Sequence, residues 1–355
     1  MASEFNTEAF TLLGVGVFVV AVRTASRLSI AGFKGLWLEY VFTIPKNFTA
    51  TWTVTDIPDS DYVMLFATVI YGLETGTAYA VGAWWHGLAN NAMTDEQRRT
   101  LDPNSREYHF RVNGSKTQLV GWSLYTLLLW TLKLCMIVFY QRLTEGLDYM
   151  KTRIRVGYAI VICTYIATEL SILVGCHPFH KNWQIYPNPG NHCQPAISKV
   201  DLYVTVILNV FSDAYLLSIP IPLLWKAEVP MVKKLSLFFI FGGAVFVMAC
   251  GILRAALVIE DPVGGAQAAG SWAVRETFVA VVVCNLPLVY QGLRRLTKTA
   301  AASGLFSKSA SRMGYSKSSE EPVFEMTSKE DAPQLQPQEF DARQKEMQQG
   351  FFKAP

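Results

Sequence analysis

Five ionisable side chains sit inside stretches of sequence that are otherwise apolar: Glu74, Lys133, Asp213, Arg254 and Glu276. A charge held in hydrocarbon costs ~2.5–3.5 kcal/mol on insertion scales, so each of these groups must face protein and find a partner. Counted from the ends of their apolar runs, Glu74, Lys133 and Asp213 lie near mid-depth, and Lys133 can pair with either acid. Arg254 and Glu276 lie nearer one end, with Glu169 and Arg275 at a similar depth. Two chemistries are open to such a set. The groups can line a polar cavity that binds a small ligand, or a carboxyl of Glu74, Asp213 or Glu276 can serve as general acid toward an apolar substrate. A third reading is architectural, since buried polar pairs fix helix register at ~0.6–2 kcal/mol each.

A second constellation is the segment CHPFHKNWQIYPNPGNHC, in which His177, His180 and His192 lie among Cys176 and Cys193. Its nitrogen and sulfur atoms suffice for zinc or copper. Two cysteines closing a short Pro- and Gly-rich loop in an oxidising compartment more simply form a disulfide, and we expect neither a metal nor a cofactor. The other four cysteines fall within apolar runs, where a buried thiol is ordinary. The sequence contains no H-E-x-x-H, no Gly-rich phosphate loop and no G-x-S-x-G elbow. A net charge of +3, with basic residues in short clusters beside apolar runs, excludes a nucleic-acid partner.

The elements that position these residues follow from hydropathy. Of the 355 residues 51% are hydrophobic and 17% charged, a balance suited to a bilayer. Crossing it takes ~20 apolar residues per helix, because lipid offers unpaired backbone groups no partner. Seven such runs occur, at Ala9 to Ile30, Tyr62 to Ala83, Leu119 to Tyr140, Val156 to Gly175, Leu202 to Trp225, Leu235 to Ile259 and Trp272 to Tyr290. The first is interrupted by Arg23, which must snorkel or face protein. Placing the N-terminus outside puts fourteen Lys and Arg on the inner side, among them Arg142, Lys151, Lys226, Lys233, Lys234, Arg294 and Arg295, against seven outside. The positive-inside rule selects that orientation. The sequon at Asn113 then lies outside and is a glycosylation candidate, whereas the one at Asn47 lies inside. Beyond about Ala301 the composition turns to Ser, Lys, Glu, Gln and Pro and cannot bury a core. The expectation is an all-α membrane protein, a bundle of seven transmembrane helices with an outside N-terminus and a cytoplasmic C-terminus. Residues 1–8 form the extracellular start, 9–296 the helical domain and 297–355 a disordered cytoplasmic tail.

Several motifs carry a resemblance. In LNVFSDAYLLSIPIPLLWKAEVPMVKK, the residues Asn209, Asp213, Pro220, Pro222 and Lys234 stand in a set order. TLKLCMIVFYQRL supplies Lys133, Tyr140 and Arg142, and CHPFHKNW supplies Cys176, Pro178 and Trp183, with Cys193 following. ILR with Arg254 and ETFVAVVVCNLP with Glu276, Leu286 and Pro287 complete the set. From about Ala21 to Leu296 the chain resembles the fungal rhodopsin-like integral membrane family, a seven-helix, receptor-like group. It departs from the family pattern where Ser60 splits the acids Asp59 and Asp61, and where Asn285 replaces a small or thiol residue. The resemblance also implies the Cys176–Cys193 disulfide. It does not imply retinal, whose Schiff base needs a lysine in the last helix, and Trp272 to Tyr290 contains none.

The resulting functional expectation is a multi-pass plasma-membrane protein that senses a small molecule or surface cue and signals to a cytoplasmic partner, and not an enzyme. The rival expectation is a membrane-embedded enzyme, for example a cyclase, or an accessory protein of fungal secondary metabolism. Pro220 and Pro222 end or bend the fifth helix and could hinge the following loop.

Overall fold

A computed structural model describes residues 2–31, 60–144, 147–221, 231–260 and 265–302. The described residues are helical apart from connecting loops, and fall within one compact unit that ends at Ala300, save the last two. Eight α-helices occur among them: α1 (Ala2–Ala31), α2 (Ser60–Ala83), the short α3 (Asp95–Thr100), α4 (Arg106–Leu143), α5 (Asp148–Val174), α6 (Lys199–Ser218), α7 (Met231–Glu260) and α8 (Gly265–Ala302). Two 3₁₀ turns, Phe179–Trp183 and Asn191–Cys193, lie between α5 and α6. All the helices except α3 are long and apolar enough to cross a membrane, so the chain is a multi-pass membrane protein. Asp59, Lys34, Lys46, Asn47, Pro222, Lys226 and the tail beyond 302 lie outside the described residues, as do the side chains of Lys233, Lys234, Arg294 and Arg295.

The exterior is made of residues that water would reject. Phe18, Phe66, Val69, Leu170, Ile207 and Phe211 are each at least half exposed. Such a continuous apolar surface is stable against lipid tails and a liability in water. Helix α4 is the central pillar, packed against α2, α5 and α6, and it is the most buried of the spans. Its core face carries Tyr125, Leu128, Trp130, Leu132, Ile137 and Tyr140.

Several boundaries differ from the hydropathy reading: α1 begins at Ala2, α5 at Asp148, and α8 runs from Gly265 to Ala302, while two further differences bear on the site. Helix α4 starts at Arg106 and not near Leu119, because Ser105 caps it, its hydroxyl accepting from the Tyr108 N–H at 3.2 Å. Its 38 residues rise about 57 Å, well beyond ~30 Å of hydrocarbon. Helix α6 stops at Ser218 and not at Trp225. Pro220 brings no N–H to continue the helix; Ile219 keeps helical angles but its N–H bonds to the Leu216 carbonyl, three residues back, and the chain turns at Ile219 and Pro220.

The extra turns of α4 hold a cap built from 84–105 and 176–198. Gly114 of α4 lets the Leu88 carbonyl come so close that a Cβ there would sit 1.9 Å from it. Ser115 accepts from the Asn90 N–H at 2.8 Å, and the Asn90 amide donates to the carbonyls of Asn182 and Cys193 at 3.1 and 3.0 Å. Arg98 donates to the Ile185 and Asn90 carbonyls at 3.0 and 2.6 Å. Burial pulls its guanidinium pKa below the ordinary value, with Asp95 opposing the shift. Cys176 and Cys193 are joined in a disulfide within this cap.

Candidate functional site

Helix α6 brings Asp201, Thr205, Asn209 and Asp213 onto one face, since residues four apart stack along a helix. The first three are more than nine-tenths buried and the Asp213 side chain is 12% exposed, so a polar stripe runs from the cap into the bundle. Asp201 at the cap end accepts from the Ser171 hydroxyl at 3.1 Å. Thr205 and Asn209 keep side-chain oxygens without a hydrogen bond.

Opposite the deep end of the stripe stands Lys133 of α4. Its ammonium is ion-paired with Asp213 Oδ1, donates to the Asn209 carbonyl at 3.3 Å and lies 5.6 Å from the centre of the Trp130 ring. The Trp130 indole is oriented by donating to Thr164 Oγ1 at 2.9 Å. Of the two partners open to Lys133, the fold selects Asp213. Beside the pair lies a cavity of about 70 Å³, bounded by Lys133, Met136, Tyr140, Asn209, Asp213 and Cys284 together with apolar residues of α7 and α8. Asp213 Oδ2 has no hydrogen-bond partner.

Glu74, Arg254 and Glu276 gather between α2, α4, α7 and α8, and all are at least 95% buried. The Arg254 guanidinium lies over the faces of Tyr125 and Trp122, 4.1 and 4.6 Å from the ring centres. Its charge faces both carboxylates. Yet Arg254 Nε and Nη2, Glu74 Oε2 and both oxygens of Glu276 make no hydrogen bond. Glu276 lies within electrostatic reach of Asp213 and Lys133 as well, which links the two groups of charges. Gly251 of α7 makes room for it: a Cβ there would stand 3.3 Å from Glu276 Oε1 and 3.9 Å from Asn209 Nδ2.

Two residues placed near Arg254 and Glu276 by depth alone are engaged elsewhere. Glu169 accepts from Thr126, and Arg275 forms a two-pronged ion pair with Glu8 of α1 at 2.6 and 2.9 Å. Sequence reasoning missed a third buried charge group. Arg23 donates to Asn285 at 3.0 Å and to Asp61 at 3.3 Å, which ties α1 to α8 and α2. The signal was Arg23 itself, a cation inside an apolar run whose acid had to come from another helix. Asn285, the departure from the family pattern, is thus a hydrogen-bond partner, also donating to the Val281 carbonyl at 2.7 Å. At the cap, the two sulfur atoms are bonded to each other, and among the described residues no group of three or more His, Cys, Asp or Glu is placed to hold a metal. Asn113 lies half-buried in the first turns of α4.

Comparisons with known proteins place the chain. It is 25% identical over 169 residues to a SAT4 family membrane protein of Emericella nidulans, a match covering 46% of this chain and 41% of that relative. The chain therefore spans less than half the length of the curated relative it matches. No solved structure matches it. The family model for the fungal rhodopsin domain matches residues 48–295, which include α2 to α7, most of α8, both charge groups and the disulfide, and the chain belongs to that family.

Proposed function

We propose that this protein is a receptor-like sensor that binds a small molecule in the cavity beside Lys133 and Asp213. The observation that carries the reading is an ion pair lining a cavity of about 70 Å³ at the centre of an apolar bundle. Helix register alone needs no cavity, and a pair held for register would be packed tight. At ~10–15 Å³ of such space per water, the cavity accepts several waters or one small polar group of a ligand. The Asp213 oxygen left without a hydrogen bond gives that group an acceptor, and Lys133 offers donors.

In this reading the capped, disulfide-bearing end faces outside at the plasma membrane, Asn113 is glycosylated there, and residues 297–355 form the cytoplasmic tail that meets a signalling partner. Ligand that separates Lys133 from Asp213 shifts α6, whose end at Ser218 leads directly into the inner loop. A second reading is supported by the unpaired carboxyl oxygens of Glu74 and Glu276, which suit a general acid in a membrane-embedded enzyme of secondary metabolism.

The test is a gene deletion in the native host, complemented with the wild type or with Asp213→Asn. Unchanged extracted metabolites with a lost response to an external cue support the sensor. A missing metabolite with an accumulated precursor overturns it in favour of the enzyme.

A further inference from the structure

We propose that Glu74 and Glu276, with the side-chain oxygen of Asn209, form a binding site for one small monovalent cation inside the bundle. This site shares Asn209 with the ligand cavity, but neither proposal needs the other.

Charge is out of balance at this place. The groups facing Glu276 are Glu74 from α2, Tyr125 and Lys133 from α4, Asp213 from α6, and Arg254 and Cys250 from α7. Three acids thus face two bases. Lys133 is committed to Asp213, and Arg254 serves two carboxylates at once while turned onto the faces of Tyr125 and Trp122. An unbalanced carboxylate in this setting is penalised by several kcal/mol after relaxation, and either a proton or a cation from outside the chain relieves it, two outcomes that the experiment below separates. The deficit is a single charge, which fits a monovalent ion and not a divalent one.

Hydrogen bonding points the same way. By distance and angle no hydrogen bond closes on either Glu276 oxygen, on Glu74 Oε2 or on Asn209 Oδ1, all buried, although the Tyr125 hydroxyl stands beside Glu276 and the Thr277 hydroxyl beside Glu74. Orphaned buried acceptors are costly unless something electropositive meets them. Two carboxylates and an amide oxygen are hard donors, suited to an alkali ion and poorly matched to zinc or copper. Packing agrees. Gly251 admits Glu276 Oε1 and Asn209 Nδ2 to the same patch of the α7 backbone, so the Glu276 carboxyl and the amide that carries Oδ1 converge from α8 and α6. The buried α6 stripe of Asp201, Thr205 and Asn209 places side-chain oxygens between this place and the cap.

The experiment uses the full chain in lipid nanodiscs. Its thermal unfolding midpoint is read in sodium chloride and in N-methylglucamine chloride at equal ionic strength, at pH 8 and pH 6. Sodium is expected to raise the midpoint at pH 8 and to raise it less at pH 6, where protons compete for the same carboxylates. Glu276→Gln should remain folded, with its disulfide intact, and have the same midpoint in both salts. Glu169→Gln, outside the group, should keep the full sodium response. Equal midpoints for the wild type in the two salts at pH 8 overturn the proposal, since the surplus carboxyl is then held as a neutral acid. The wild-type comparison alone decides, so a variant that fails to fold does not leave the question open.

Discussion

The two charge groups are built from the same kinds of group, a base, carboxylates and aromatic rings, at a similar level of burial, and they are balanced differently. Around Lys133 one cation meets one anion, a carbonyl and an aromatic ring, and free space lies alongside. Around Arg254 one cation answers to two carboxylates, three of whose four oxygens are left without a hydrogen bond. The first is a closed pair next to a cavity, and the second an open set short of one positive charge. A closed pair responds to the loss of either member by stranding the other. An open set is relieved when an acid is neutralised. Neutralising an acid should therefore have opposite consequences in the two places.

The largest effect is expected at the closed pair. Replacing Asp213 by Leu leaves the Lys133 ammonium buried without its acid, and stability should fall by about 3–5 kcal/mol, the range for breaking a buried pair from one side. Replacing both, as Lys133→Met with Asp213→Leu, should recover most of that loss, because a hydrophobic pair of similar volume often does as well as the ion pair. Unfolding midpoints of the two single variants and the double variant in nanodiscs check this. A double variant as unstable as the singles would show that the pair is not isolated from the Arg254 group.

Removing Arg254 comes next. Arg254→Met keeps contact with Trp122 and Tyr125 but leaves Glu74 and Glu276 with no nearby base of their own. A loss of about 2–4 kcal/mol is expected, somewhat below that at Asp213 because either carboxyl can take a proton in place of the lost cation. Combining the change with Glu276→Gln should restore part of it. Glu276→Gln alone is the smallest of these charge changes. It is expected within about 1 kcal/mol of the wild type, and on the stabilising side when no sodium is present. A destabilisation as large as that of Asp213→Leu would remove the distinction between the two groups.

Much of this arrangement was legible beforehand, for reasons that also mark where legibility ends. Apolar runs of membrane length announce helices, since lipid leaves the backbone no alternative. Charged residues within those runs announce themselves because each is costly. Partner choice is another matter. Depth along a helix can be counted, but rotation about its axis is set by packing, so Lys133 remained open to Glu74 or Asp213 and Arg275 looked near Arg254 when it reaches Glu8. Arg23 was visible as a misfit, but its partners Asp61 and Asn285 are 38 and 262 residues away and lie on other helices. The thirteen added residues at the start of α4 were missed because they are polar, and hydropathy reports the membrane and not the helix. The i, i+4 stripe on α6 was readable in the spacing of Asp201, Thr205, Asn209 and Asp213, but a family motif drew notice to its last two members alone.

The finest test of the open set concerns one methyl group. Glycine within a helix is less favourable than alanine by about 0.5–1 kcal/mol, so Gly→Ala in open space should stabilise. Gly72 of α2, where an added Cβ would meet nothing within 4 Å, is such a reference. At Gly251 the same methyl would stand 3.3 Å from Glu276 Oε1, closer than a carboxylate oxygen comfortably lies to carbon, and would push it aside. The helix gain and the crowding then oppose one another, and Gly251→Ala is expected to be neutral or slightly destabilising where Gly72→Ala is stabilising. In a Glu276→Ala background the obstruction is gone, and Gly251→Ala should recover the gain seen at Gly72. The coupling between positions 251 and 276 in this double-mutant cycle measures how closely Glu276 is held against α7. A coupling indistinguishable from zero would mean that Glu276 turns away from Gly251, taking with it the convergence of Glu276 and Asn209 on which the open set depends.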